Sequence, residues 1–394
     1  MLTAKNILYI CVFCVFLFGC EDPFRVPSSE SNIGILVVEG RIGDEETLIL
    51  LSRTANLDSF SIKPEVNALV QIENELGNVV GLLAETEAGS YFLDTDLIVN
   101  EKYRIRIETN NQEVYHSDYA TLIATPPISD LKARVDPVSG NIEILVSTQD
   151  LDNNTRYYQW NYEETYEYSA PYSSILEFDG EKVIPRDRNG DRQITLCWKS
   201  NNSSDILLES SIQFDEDVVS NKRLVSYSLS ETFKFNRTYS ILVNQYALSS
   251  NEFEFWSLLE KNSESLGTLF DPQPSQISTN LECKSDPQKG VIGYVGASSK
   301  TQKRIFVRNA DIPESFRNLE VVELFCEEGL VWMGDEDEVV RILSDGMYVP
   351  IEIVPPTPDG DIPDILYATI FCADCREQRG VNEGGTNVRP NFWF

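Results

Sequence analysis

The chain contains a single histidine, His116, and this limits the catalytic machinery that its 394 residues could assemble. A Ser-His-Asp or Cys-His arrangement needs a histidine as general base, and only His116 could serve. It lies in Val114-Tyr-His-Ser-Asp118, a short stretch that we interpret as a strand with one solvent-facing side. We therefore expect a surface strand histidine, and the sequence predicts no catalytic residue around it.

Carboxylates, in contrast to histidine, are abundant: the chain has 63 Asp and Glu residues. Glycosidases work with a pair of carboxylates, so a hydrolase stays an alternative, but the spacing singles out no pair. A zinc site of mixed Cys and His ligands would need a second histidine or a second closely spaced cysteine pair. The body is therefore predicted to be non-catalytic, with no metal site and no cofactor.

The segment Asp187-Arg-Asn-Gly-Asp191 resembles the start of a calcium-binding loop, in which Asp and Asn residues alternate before a glycine. The glutamate that closes the motif is missing, so a calcium site is not predicted. Asn189-Gly190 instead favours a hairpin turn, since both residues accept the positive φ that such turns require.

Cys372-Ala-Asp-Cys375 has the spacing of a thioredoxin-type redox motif. That motif needs a following helix to lower the thiol pKa, and here Gly384-Gly385 and Pro390 follow closely. Structural disulfides are therefore favoured over redox chemistry. An exported protein keeps such bonds, so pairing is expected for four of the five cysteines that follow Cys20.

The start of the chain has the layout of a cleaved export signal. Lys5 precedes an apolar run over Ile7–Phe18, which is shorter than the about 20 residues that span a bilayer. The run ends in Leu17-Phe-Gly-Cys20, which resembles the lipobox of bacterial lipoproteins, with an uncleaved anchor as the alternative. We expect residues 1–19 to be a signal peptide, Cys20 to carry palmitate-type acyl chains, and residues 20–33 to form a tether.

The acidic residues after Cys20 give an indication of where in the cell the protein is anchored. Cys20-Glu21-Asp22 resembles the surface-export signal of Bacteroidota lipoproteins, although a solvated acidic linker would look the same. We expect a lipid anchor in the outer membrane, and the pattern favours the cell surface without deciding the leaflet. The net charge of −31 excludes the basic footprint that nucleic acid needs. Attachment to the membrane must therefore come from lipid on Cys20.

The remaining sequence predicts a mainly β protein. Short strand-like runs with turn residues between them predict an N-terminal transthyretin-like or Ig-like β-sandwich over 34–125. A break at Pro126-Pro127 opens a larger β-rich domain over 126–394, in which Tyr158, Trp160 and Tyr162 share one strand face, as core residues do. One substantial helix is predicted near 250–266, opened by the capping box Ser249-x-x-Glu252.

Several of these segments, taken together, resemble domain-of-unknown-function family 4249. The resemblance spans nearly the whole mature chain and rests on these segments, in order: Asn154-Thr-Arg-Tyr-Tyr-Gln-Trp160, Cys197-Trp198, Gln245-Tyr-Ala-Leu248 before Phe255-Trp256, Leu269-Phe-Asp-Pro-Gln-Pro-Ser-Gln-Ile277, Ala297-Ser-Ser299 before Arg304-Ile-Phe306, Cys372-x-Asp-Cys375 and Asn391-Phe-Trp393.

This resemblance implies an outer-membrane lipoprotein of Bacteroidota, encoded beside a SusC-type TonB-dependent transporter. The implied function is a non-catalytic accessory or substrate-binding partner of that barrel in nutrient uptake. The alternative is a free-standing surface adhesin or glycan-binding lipoprotein. The resemblance also implies that the recurring, paired cysteines are Cys197, Cys326, Cys372 and Cys375, with Cys283 left over. A bond between Cys372 and Cys375 would close too small a ring, so each should reach a distant cysteine.

Overall fold

The computed structural model of the protein describes residues 34–55, 63–264, 279–317, 326–355, 362–378 and 384–394. The predicted signal peptide, Cys20, the tether, the end of the predicted helix and the segment Leu269–Ile277 lie outside these ranges.

The described residues form 24 strands, in agreement with the predicted mainly β fold, and three α-helices. The strands are β1 Leu36–Ile42, β2 Glu46–Arg53, β3 Lys63–Pro64, β4 Leu69–Asn74, β5 Val79–Glu87, β6 Ser90–Asp94, β7 Lys102–Glu108, β8 Val114–Ser117, β9 Ala120–Thr121, β10 Ile128–Val135, β11 Asn141–Asp150, β12 Tyr157–Ser169, β13 Leu176–Phe178, β14 Val183–Pro185, β15 Leu196–Asn202, β16 Leu207–Ser210, β17 Asp217–Ser228, β18 Thr238–Ala247, β19 Leu281–Cys283, β20 Val291–Ala297, β21 Lys300–Arg308, β22 Glu328–Trp332, β23 Tyr348–Val354 and β24 Asp364–Thr369. The α-helices are α1 Ser250–Glu264, α2 Glu336–Leu343 and α3 Ile370–Ala373.

The first unit is a sandwich whose strands follow the order β19-β8-β7-β4-β5-β6-β2-β1-β20. Alternation decides which side chains fill it: Tyr103, Ile105 and Ile107 of β7 are buried, and the residues between them point outward. The first half of β5 pairs with β4 and its second half with β6, so this strand passes from one layer to the other. Both layers enclose one apolar core.

The two ends of this strand order meet, so the sandwich is nearly a closed barrel. Strand β20 runs parallel to β1, and at Gly293, with φ +119°, an added Cβ would lie 1.8 Å from the Val38 carbonyl oxygen. The side chain of Asn280, just before β19, makes the two hydrogen bonds to β20 that a paired strand residue would make. Its Nδ2 donates to the Val295 carbonyl at 2.9 Å, and its Oδ1 accepts from the Val295 N–H at 3.0 Å. Residues 34–125 thus supply nine strands, and 281–297 supply two more.

The second unit packs the sheet β10-β11-β17 against the sheet β15-β12-β18-β21, with β16 beside β12. Its core is unusually aromatic because β12 turns every second side chain inward. Tyr158, Trp160 and Tyr162 are all buried there, which confirms the predicted core face. The indole N–H of Trp160 donates to Gln245 Oε1 at 2.9 Å, so the buried polar atom is satisfied.

The C-terminal part consists of the sheet β22-β24-β23, the hairpin β13-β14 and the helices α2 and α3. Two disulfides fix it: Cys197–Cys375 joins it to β15 of the second unit, and Cys326–Cys372 lies within it. The disulfide prediction is therefore confirmed, and Cys283 is free and buried.

The expected hairpin turn at Asn189-Gly190 is wrong. The nearby hairpin β13-β14 turns at Asp179, whose side chain accepts from two backbone N–H groups. Asn189 instead precedes a single 3₁₀ turn that leads into β15, and the side chain of Asp187 accepts the Asn189 N–H at 3.0 Å. Gly190 still adopts a positive φ of 57°, so the dipeptide does form a turn, but not one that joins paired strands.

Candidate functional site

Arg41 of β1 links the first unit to the second. It lies on the face of β1 that points away from the core, and its guanidinium contacts three polar side chains. Nη1 donates to Ser298 Oγ at 3.0 Å, and Nη2 lies 2.9 Å from Gln159 Oε1 and 2.6 Å from Glu252 Oε1. The guanidinium carbon also stands 4.7 Å from the ring centre of Tyr246. We call this contact region between β1, β20, helix α1, β12 and β18 the junction.

Glu252 is the buried carboxylate of the junction, and it has two roles. Its backbone N–H donates to Ser249 Oγ at 3.2 Å, as the predicted capping box requires. Its carboxylate pairs with Arg41. Burial raises the pKa of Glu252, and Arg41 acts against this rise. Gly296 makes room for the pair, because a Cβ there would lie 2.2 Å from Glu252 Oε1.

A cavity of about 260 Å³ lies on one side of this ion pair, and we call it the junction cavity. Leu48 of β2 lines it from the first unit, and Trp256 of α1 and Tyr246 of β18 line it from the second. The amides of Gln159 and Asn161, both on β12, and the hydroxyl of Ser298 are among its uncharged polar groups. The cavity thus combines apolar surface with convergent amides, as small-molecule sites do.

A second, more polar cavity of about 580 Å³ lies on the other side of Glu252. It is lined by carboxylates, including Asp118 and Glu254, and by Tyr119 and Tyr294. The ring centres of Tyr294 and Phe255 are 5.1 Å apart, and this contact packs helix α1 against β20.

An apolar patch continues from the junction cavity along the outer face of the first unit. Strand register places Leu48 opposite Phe92, and Phe92 opposite Ala84. Leu50 and Leu82 extend the patch along the same face, and their exposed fractions are 44% and 54%. We call these five residues the outer stripe. Apolar side chains that adjoin one another on an acidic surface are typical of a contact site for a partner.

The single histidine lies in β8, as predicted, but it is half-buried. It stands opposite Arg106 and Glu282 on the neighbouring strands. Burial lowers the pKa of His116, and the charge of Arg104 lowers it further. Both effects favour the neutral imidazole.

Within the described ranges, no group of three or more His, Cys, Asp or Glu residues is placed to hold a metal ion. The same part of the chain contains no helix that is both long and apolar enough to cross a bilayer. Cys20, the predicted lipidation site, lies outside the described residues.

Sequence reasoning identified Glu252 as a helix cap and missed Arg41 entirely. The available signal was weak: Arg41 is an outward-facing basic residue that follows Glu39 and Gly40 in β1, and charged residues on the outward face of a strand are common. Its partners Gln159, Glu252 and Ser298 are remote in sequence, and no local pattern brings them together. The amides of β12 were visible as the polar face of a strand, but the cavity depends on how the two units meet.

Comparison with known proteins gives one family. The sequence profile of the family described as Domain of unknown function (DUF4249) matches residues 21–304. No curated protein matches the chain. Among solved structures, the native conformation of E. coli alpha-2-macroglobulin is 13% identical, with a TM-score of 0.18. That alignment covers 57% of this chain and 14% of the other, and such a TM-score does not establish a shared fold.

Proposed function

The chain belongs to the family of the domain of unknown function DUF4249, and we propose that it is a non-catalytic outer-membrane lipoprotein that serves a TonB-dependent transporter as accessory or substrate-binding partner in nutrient uptake. Its anchor is the lipid on Cys20, and its body faces the barrel through the first unit. Bacteroidota are the expected source of such a protein.

The position of the anchor supports this proposal. Strand β1 begins at Leu36, so the first unit is the part of the body that follows Cys20 most closely in the sequence. A flexible chain of the length of the predicted tether would have a root-mean-square span of about 20 Å, which would let the first unit rest on a neighbouring membrane protein. Lipid and protein contact would then act together, so each contact can be weak on its own.

The outer stripe is the observation that carries the proposal. In a chain with a net charge of −31, apolar side chains on an open sheet face do not serve solubility. They lie on the unit that the anchor holds at the membrane. Exposed acidic residues flank them, Glu39 on β1 and Asp94 on β6. Anionic lipid headgroups would be repelled by these carboxylates, whereas a protein surface with a basic border would complement them.

Two genetic experiments test the proposal. Replacement of Cys20 by Ala should move the protein out of the detergent phase and out of the outer membrane, because the contact with the barrel is expected to be weak without the lipid. Deletion of the protein should impair growth on one nutrient class while extracellular breakdown of that nutrient continues. A Cys20→Ala protein that stays in the outer membrane would contradict the lipid anchor, and unchanged growth on every nutrient tested would contradict the role in uptake.

A further inference from the structure

The junction cavity lies where the outer faces of two sheets meet, and this determines which groups a ligand would find there. Leu48 faces it from β2, and Gln159 and Tyr246 face it from neighbouring strands of the second unit. The backbone groups of β2, β12 and β18 are paired within their sheets, so these strands offer a ligand their side chains. Trp256 of α1 and the turn residues Gly43, Asp44 and Glu45 between β1 and β2 complete the lining. Pockets at the boundary of two units are a common location for small-molecule sites.

Side-chain amides form a ladder that leads out of the cavity. Asn161 on β12, Asn244 on β18 and Gln302 on β21 stand opposite one another. Asn244 Nδ2 donates to Asn161 Oδ1 at 2.6 Å, and Gln302 Nε2 donates to Asn244 Oδ1 at 2.6 Å. These bonds hold the amides in fixed orientations. Each amide carries both donors and an acceptor, so the row can bind neighbouring hydroxyl groups, each of which also donates and accepts.

The apolar side of the cavity is formed by Leu48, Tyr246 and Trp256. Aromatic side chains offer flat surfaces of large area, against which the C–H face of a ring can pack. A ligand that fits therefore has an apolar face and a rim of hydroxyl groups. A pyranose ring has this combination, and about 260 Å³ is enough space for one such ring.

The charges around the cavity exclude an anionic ligand. Both basic side chains in its lining are already paired: Arg41 binds Glu252, and Lys300 binds Glu46. The remaining charged lining residues are Asp44 and Glu45, which can accept hydrogen bonds from hydroxyl groups and would repel a carboxylate or a sulfate.

A peptide fits this site less well than a saccharide does. Extended peptides gain affinity mainly by pairing their backbone with a free sheet edge. The strands β2, β12 and β18 present their faces to the cavity, and their backbone groups are already paired, so an extended peptide could not pair with them as an added strand.

We propose that the junction cavity binds one ring of a neutral saccharide. This inference rests on the proposed function, for which it names the substrate class. The Trp256 indole and the amides of Gln159 and Asn161 are the recognising groups, and the amide ladder continues the site toward a second ring.

The test uses the mature chain, produced without its signal peptide, and a panel of neutral gluco-, galacto-, manno- and xylo-oligosaccharides. Hexuronic acid oligosaccharides of matched length serve as the anionic comparison. Binding is measured by calorimetry and by tryptophan fluorescence. At least one neutral oligosaccharide should bind, and the hexuronic acid oligosaccharides should not.

Two variants probe the cavity and one serves as control. Trp256→Ala should weaken the binding of that oligosaccharide about fivefold or more, since it removes an aromatic contact. Asn161→Ala changes an exposed side chain and should weaken binding without loss of fold. Trp332→Ala is the matched control, because Trp332 is 50% exposed on β22 and does not line the cavity. The affinity of this variant for the oligosaccharide should equal that of the wild-type protein.

Several outcomes would overturn the inference. These are no binding across the neutral panel, equal binding of the hexuronic acid oligosaccharides, or an unchanged affinity in the Trp256→Ala and Asn161→Ala proteins. Binding of uncharged Gly-Ser-Asn peptides in place of saccharides would also overturn it. The proposed function is judged separately by retention of a barrel: saccharide binding without a barrel partner contradicts the transporter role, and a barrel partner without saccharide binding contradicts only this inference.

Discussion

The guanidinium of Arg41 lies 2.6 Å from the carboxylate of Glu252, and this ion pair joins the first unit to the helix of the second. Both side chains are withdrawn from solvent, with Glu252 almost fully buried. Removal of one partner leaves the other as an uncompensated buried charge, whereas removal of both leaves no such charge. The pair is therefore expected to set the geometry of the junction more than the total stability of the fold.

A double-mutant cycle measures this coupling. We expect Glu252→Ala to lower the free energy of unfolding by about 3 kcal/mol, and the Arg41→Ala/Glu252→Ala protein to lose clearly less than the sum of the single losses. Urea titration followed by tryptophan fluorescence gives the values. The control is the exposed pair Lys102–Glu75, where Glu75→Ala should cost at most about 1 kcal/mol. Additive losses at Arg41 and Glu252 would contradict the coupling.

The raised pKa of Glu252 predicts a pH dependence with a definite sign. A carboxyl group whose pKa is higher in the folded than in the unfolded protein binds more protons when folded. The stability that it contributes therefore rises as pH falls through its folded pKa, and levels off below the unfolded pKa near 4.5. Compared with Glu252→Gln, which shares every other titrating group, the wild-type protein should gain stability from neutral to acidic pH. A difference that is flat, or that falls toward acidic pH, would contradict this prediction.

The two hydrogen bonds from the Asn280 side chain to Val295 are expected to stabilise the closure of the first unit between β19 and β20. Asn280→Ala would leave the N–H and the carbonyl of Val295 without these partners, and each lost bond to a buried group costs about 1–3 kcal/mol. Hydrogen exchange should speed up in β20 and β1. Asn161→Ala is the control, since its side chain is exposed and its loss should change stability by at most about 0.5 kcal/mol. Unchanged exchange in β20 would show that the closure does not depend on Asn280.

The disulfide pairing predicts a simple thiol count. In the unreduced, denatured body beyond Cys20, one thiol should react, that of Cys283, because the other four cysteines are bonded. Peptide mapping should recover the Cys197 peptide linked to that of Cys375. Cys326→Ser should expose one further thiol, at Cys372, and lower the free energy of unfolding by about 2–4 kcal/mol. Five reactive thiols in the wild-type body would contradict the disulfide framework.

Local patterns in the sequence were sufficient for much of the fold. The aromatic face of β12 identified core residues, because a strand turns every second side chain to one side. Ser249 and Glu252 marked the start of α1 for a similar local reason. The turn at Asn189-Gly190 was placed in the wrong kind of structure, because a dipeptide records its own φ preference but not which strands it connects.

The candidate site could not be predicted in the same way. Strand β20 joins β1 in parallel, a pairing that no local alternation encodes, and it brings Ser298 and Gly296 to Arg41. The junction cavity depends on this pairing and on the packing of α1 against Tyr294. Residues remote in sequence therefore share a site for reasons of tertiary packing. The family resemblance supplied the recurring cysteines, but it supplied no binding residue.

The most direct test of the account is recovery of the partner from the membrane. Outer membranes of cells that carry the tagged protein are solubilised in mild detergent, and the retained proteins are identified and quantified by mass spectrometry. Leu50→Asp and Leu82→Asp together place charges in the outer stripe, and Leu330→Asp is the control, since Leu330 is 56% exposed on β22, outside the stripe. We expect a TonB-dependent barrel to be retained by the wild-type and control proteins and to be largely lost from the stripe variant. Absence of any such barrel from the wild-type sample would contradict the central claim, and equal recovery by all three proteins would contradict the role of the outer stripe.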